Sequence, residues 1–145
     1  MAMKISVGEH ARRSAKPKIA YGQTTFESTQ RVRDGLSVNE FDQLREDLGV
    51  PLGTLESTLS IAHRTLLRRR DTGRFQKDES DRLFRLRRLF DRAVEVLGDS
   101  RDAQAWMTAP QVALGGESPL SFADTDAGVR EIENLLGRIE HGVFS

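Results

Sequence analysis

The glycines and prolines of this chain fall at intervals that leave room for helices and for little else. From Phe26 onward, Gly35, Gly49, Pro51, Gly73, Gly98, Pro110, Pro119 and Gly142 mark off stretches in which apolar residues return every three or four positions. That spacing places them on one face of a helix, and glycine or proline at the end of each stretch stops it. The first helix is expected over Phe26 to Asp34, ending near Gly35. The second has a marked start: Ser37 and Glu40 form an S-x-x-E capping box, and Leu36 and Phe41 stand where a hydrophobic staple would pack. Phe41, Leu44 and Leu48 give it a buried stripe, Gly49 suits its C-cap, and Pro51 prevents continuation. A third helix runs from about Pro51 to Leu59, and a break near Ser60 and Ile61 leads to a fourth from Ala62 to Arg70. A long helix is expected from about Asp78 to Leu97, with Leu83, Leu86, Phe90, Ala93, Val94 and Leu97 along its apolar stripe. Asp78, Glu79 and Asp81 lie in its first turn, where the helix dipole favours negative charge. A short helix from Arg101 to Met107 follows, then a Gly115-Gly116 turn, a helix start at Ser118-Pro119, and a last helix from Asp126 to His141. Val129, Ile132, Leu135, Leu136 and Ile139 form its apolar face. No segment alternates like a strand, so the fold class is all-α.

Composition agrees with solvated amphipathic helices around a modest core: 37% of the 145 residues are hydrophobic, 30% charged and 6% aromatic. That suits one compact domain, or two small ones sharing a core. The chain has no cysteine, which excludes a disulfide framework, a thiolate nucleophile and a Cys-based zinc site. No apolar run approaches the ~20 residues that span a membrane, and the N-terminal residues lack the apolar stretch of a signal peptide, so the expected location is cytoplasmic. His10, His63 and His141 have no metal-ligand spacing, and neither a metal site nor a catalytic residue is expected. Gly115-Gly116 is a turn rather than a phosphate loop, because no strand precedes it and no Lys follows. Trp106 and Phe122 are expected to fill core. No cofactor is implied.

Net charge is zero, but it is distributed in blocks. Residues 1–20 carry five Lys/Arg and one Glu, residues 21–61 three Arg and seven acids, residues 62–92 eleven Lys/Arg and five acids, and residues 93–145 three Arg and nine acids. A basic block between acidic ones points to one surface for a polyanion and another for a different partner. Residues 1–24 read as a flexible basic arm, either a solvated tail or a strand of chain that touches DNA or a partner.

The two short helices on either side of Ser60-Ile61, with apolar residues at Leu55, Leu59, Ile61, Leu66 and Leu67, have the pattern of a helix-turn-helix. In that reading the second helix is the recognition helix. His63, Arg64, Thr65 and Arg68 are then candidates for base edges, while Arg69, Arg70 and Arg74 are placed for phosphate. The alternative is a basic face that pairs with the protein's own acids. Arg85, Arg88 and Arg92 line one face of the long helix, where solvent, a subunit contact and DNA all remain open.

The last 35 or so residues are the most distinctive. ALGGESPL (residues 113–120), TDAG (125–128) and LLGRIEHGVFS (135–145) follow one another in that order. Together they resemble the toxin-binding domain of the Xre/MbcA/ParS antitoxin family, and TLLRRRDTGRFQKDESDRLFRLRRLF (65–90) resembles the Xre-type helix-turn-helix region that precedes it. The resemblance covers roughly residues 35 to 145 and implies three segments: the arm at 1–24, an Xre-like helix-turn-helix domain at 25–98, and a toxin-binding domain at 99–145. It implies a non-enzymatic antitoxin that binds a RES-domain toxin, occludes that toxin's NAD site, and represses its own operon through operator DNA. Carried over by position, Gly115, Gly116, Pro119 and Leu120 shape the domain, whereas Arg138, Glu140, His141, Gly142 and Val143 meet the toxin.

Phe144 and Ser145 extend that end. An apolar ring beside a terminal carboxylate suits a nucleotide-binding cleft, and the alternative is that Phe144 folds back on its own helix. A homodimer is expected, because helix-turn-helix proteins match two-fold operators and the apolar stripes look more than so small a chain buries alone. The competing reading is a freestanding helix-turn-helix transcription regulator whose C-terminal domain only dimerises.

Overall fold

The computed structural model describes residues 26–142, and among them the secondary structure is helical throughout, apart from one isolated bridge between Ser37 and Arg74. The helices are α1 (Phe26–Asp34), α2 (Val38–Leu48), α3 (Leu52–Leu59), α4 (His63–Thr72), α5 (Lys77–Leu97), α6 (Ser100–Thr108), α7 (Pro119–Phe122) and α8 (Asp126–His141), with a 3₁₀ turn at Val112–Leu114. The expected boundaries hold to within a residue or two. Local chemistry fixes most of them. The Glu40 carboxylate accepts from the Ser37 backbone N–H at 2.9 Å, the returning half of the capping box. Ser118 Oγ accepts from the Ser121 N–H at 3.1 Å, with Pro119 as first helical residue, and Thr125 Oγ1 accepts from the Gly128 N–H at 2.9 Å. One start was not anticipated: the Glu79 carboxylate accepts from the Gln76 N–H at 2.8 Å, so Gln76 caps α5.

Helix α5 is the spine. It packs against α1, α3, α6 and α8, while α2 lies on α6 and α7 touches both α6 and α8. The buried side chains from Leu36 to Leu136 form one cluster, including the fully enclosed Phe41, Leu44, Leu48, Leu66, Phe90, Met107 and Ile132. The two segments read from the sequence therefore share a core. Burying each large apolar side chain contributes about 1.5–3 kcal/mol, so this cluster is the main source of stability.

Several apolar residues sit differently from the sequence reading. Leu67, one of the apolar set of the helix-turn-helix, is 51% exposed. The turn at Ser60 rotates α4 so that Leu66 alone of its residues is buried, and the next residue, about a quarter turn on, faces water. Trp106, Phe122, Leu97 and Leu135 are partly buried and pack against the core's edge rather than filling it.

Candidate functional site: a helix-turn-helix and the end of the last helix

The turn between α3 and α4 is built from Ser60, whose φ of 54° is the only left-handed backbone among the described non-glycine residues. It lets the Ile61 N–H reach the Glu56 carbonyl at 2.9 Å, closing the end of α3. From α5, Arg82 Nε donates to the Leu59 carbonyl at 2.7 Å, tying the turn to the spine. Across the turn, His63 Nδ1 and Glu56 Oε2 lie 2.7 Å apart, which fixes the first residue of α4 against α3.

The five arginines among the seven expected DNA residues divide into two groups. Arg69 gives Nε and Nη2 to the two oxygens of Glu79 at 2.7 and 3.0 Å. Glu79 is 7% exposed, and the Arg69 hydrogen bond, opposed by burial, holds its carboxyl below the usual carboxylate range. Arg70 makes a bidentate pair with Asp42 at 3.0 and 2.9 Å, and Arg74 donates to the Gly35 carbonyl at 2.8 Å. These three arginines, expected at phosphate, each have a partner within the chain. Arg64 and Arg68 do not share this: both are exposed, Arg64 forms no ion pair with any described residue, and Arg68 reaches only Thr65 Oγ1 at 3.4 Å.

The segment after α4 is clamped to the start of α2. Val38 N–H donates to the Gly73 carbonyl at 3.0 Å, Phe75 N–H donates to the Leu36 carbonyl at 2.9 Å, and Leu36 N–H donates to the buried Ser80 Oγ at 2.9 Å. Gly35 must be glycine here: its φ is +98°, and a Cβ would stand 2.3 Å from the Phe75 carbonyl oxygen.

At the other end, the last turn of α8 is held by α5. Arg92 donates through both terminal nitrogens to the Glu140 carboxylate, the Nη1 contact being 3.1 Å. That hydrogen bond keeps the Glu140 carboxyl below its ordinary range. Glu140, expected as a toxin contact, is thus engaged inside the chain. Arg138 is half-buried, His141 is exposed, and Gly142 closes the helix in the left-handed region at φ 69°. Val143, Phe144 and Ser145 lie outside the described residues. In the turn region, Pro119 and Leu120 are buried, and Gly115 and Gly116 have φ of +69° and +90°, so these four shape the chain as expected.

The sequence reading missed Glu79, Asp42, Glu56 and Arg92 as partners, because their separations of 10, 28, 7 and 48 residues leave no local signal. It also missed Val112, which projects from its turn at 97% exposure.

A tight helix-turn-helix whose second helix carries two arginines that pair with no acid among the described residues, joined through one spine to a small helical C-terminal segment, defines a class: helix-turn-helix proteins with an appended helical region. The comparisons place the chain within that class. Residues 27–88 match the family described as the antitoxin Xre-like helix-turn-helix domain, and residues 92–142 match the antitoxin Xre/MbcA/ParS C-terminal toxin-binding domain. The chain is 39% identical over 116 residues to Antitoxin Xre of Yersinia enterocolitica, covering 79% of this chain and 78% of that one. It is 36% identical over 116 residues to Antitoxin Xre of Photorhabdus laumondii, with the same coverage of 79% and 78%. To Antitoxin Xre of Pseudomonas putida it is 32% identical over 118 residues, covering 81% and 73%. The chain belongs to the Xre antitoxin family.

Proposed function

We propose that this chain is the antitoxin of a toxin–antitoxin pair. It binds a RES-domain, NAD-consuming toxin through its C-terminal segment, occludes that toxin's NAD site, and represses its own operon by placing α4 on operator DNA. It acts in the cytoplasm, without catalysis, as a homodimer whose two α4 helices meet a two-fold operator. The match of residues 92–142 to a toxin-binding domain carries the reading. The toxin contact is assigned to Arg138, His141, Gly142, Val143, Phe144 and Ser145 from the resemblance, and Glu140, named with them, is gripped by Arg92 in the last turn of α8.

Co-expression tests it. The RES-type protein encoded beside this chain should arrest growth alone, and the arrest should vanish when this chain is co-expressed, with the two proteins purifying together. A freestanding regulator would neither restore growth nor co-purify, and that outcome would replace the antitoxin reading.

A further inference from the structure

Among the described residues, the large hydrophobic side chains left exposed are Phe26, Leu67 and Val112. Leu67 is the one that lies on α4. Helix α4 gives the core only Leu66 and turns Arg69 inward to Glu79. Its other face carries Arg64, Leu67, Arg68 and Asp71, at positions i, i+3, i+4 and i+7, so the four side chains lie along one exposed stripe. Leu67 stands on that stripe with Arg64 and Arg68, which form no ion pair with any described residue. We propose that Leu67 is a specificity-determining residue that packs on the 5-methyl group of a thymine in the major groove, while Arg64 and Arg68 beside it contact acceptors on the DNA. The proposal rests on the operator-binding reading.

Charge selects the occupant. Residues 62–92 hold eleven Lys/Arg against five acids, and on the stripe the exposed leucine stands between Arg64 and Arg68, with Asp71 one turn further on. A duplex satisfies both features at once. Its guanines and phosphates take arginine, and the apolar group its major groove offers an aliphatic side chain is the thymine methyl. Placing Leu67 there removes from water the part of its surface, 51%, that the described residues leave exposed.

The test uses the full chain. An operator duplex is first obtained by selecting tight binders from a random DNA library. Each thymine is then replaced in turn by deoxyuridine, which lacks only the methyl, and affinities are measured at one fixed salt concentration. The wild-type chain is expected to lose about fourfold at one thymine per half-site, which is about 0.8 kcal/mol, the value of one buried methyl-sized group. Leu67→Ala should bind the thymine duplex about as weakly as wild type binds the deoxyuridine duplex, and it should be indifferent to that replacement. Arg64→Ala, by contrast, should stay sensitive to it. Leu67→Gln, a second surface variant, guards against an accident of the alanine.

If Leu67→Ala senses every methyl as the wild type does, or binds the operator unchanged, the assignment is overturned. It is also overturned if the variant loses DNA only because its oligomeric state changes, which would make Leu67 a contact between copies of the chain. Failure of the wild type to select any sequence would instead remove the operator-binding reading, and this assignment with it.

Discussion

At Gly128 the first turn of α8 passes so close to α7 that a Cβ would stand 1.7 Å from the Phe122 carbonyl oxygen and 2.9 Å from its carbon. Both are backbone atoms, and no rotamer change relieves the overlap. Gly137, two and a half turns further along the same helix, has nothing within 4 Å of the corresponding position. The two glycines are expected to respond oppositely to alanine. Gly128→Ala should destabilise by about 1–3 kcal/mol or more, because the α7–α8 junction must open. Gly137→Ala should stabilise by about 0.5–1 kcal/mol, because it removes glycine's backbone entropy cost inside a helix. Denaturant titration of both variants checks this, and a neutral Gly128→Ala would mean the junction is looser than its hydrogen bonds indicate. Glu79 illustrates a different residue-scale constraint: its pairing with Arg69 favours the charged form, so the stability it gives is present above the ordinary carboxylate pKa and fades as pH falls through its lowered value.

Helix α4 owes its orientation to contacts on three sides: the Ser60 turn, the Arg82 bond to Leu59, and the Arg69–Glu79 pair. Arg64 and Arg68 stay candidates for base edges, while Arg69, Arg70 and Arg74, expected at phosphate, are engaged inside the chain. Arg64→Ala and Arg68→Ala should each weaken operator binding by about 1–3 kcal/mol if the lost contact is bidentate to a base, and leave toxin binding intact. Titrating the operator with each variant measures this, and the wild-type endpoint gives the number of chains per duplex, expected to be two. Unchanged affinity in both variants would move the DNA surface elsewhere.

The helices themselves were legible in the sequence because their signals are local: a period of three to four, a cap three residues from its partner, a glycine past the end. The same locality explains what was not legible. Leu66 and Leu67 are adjacent and chemically identical, and only the rotation imposed by the Ser60 turn decides which is buried. The arginines of the basic block look alike until α2 and α5 bring Asp42 and Glu79 to two of them.

On the scale of the whole molecule, the shared core makes α5 a rigid link between the helix-turn-helix and the C-terminal segment. Arg92 extends that link to the last turn of α8. The apolar stripes are largely buried within one chain. That removes one of the two reasons for expecting a dimer and leaves the two-fold operator as the other. The two activities proposed for the chain are expected to be separable by mutation, because Arg64 and Arg68 lie on α4 and the residues proposed for the toxin lie in the last turn of α8 and beyond it. The toxin proposed for this chain consumes NAD, and its silencing is read from the rate of NAD consumption by the purified RES-type partner, with and without an equimolar amount of this chain. The rate is expected to fall to background with the full chain and with Arg64→Ala, and largely to persist when residues 143–145 are deleted although the complex still forms. NAD consumption unchanged by the full chain in a mixture where the two proteins are bound would contradict that proposal.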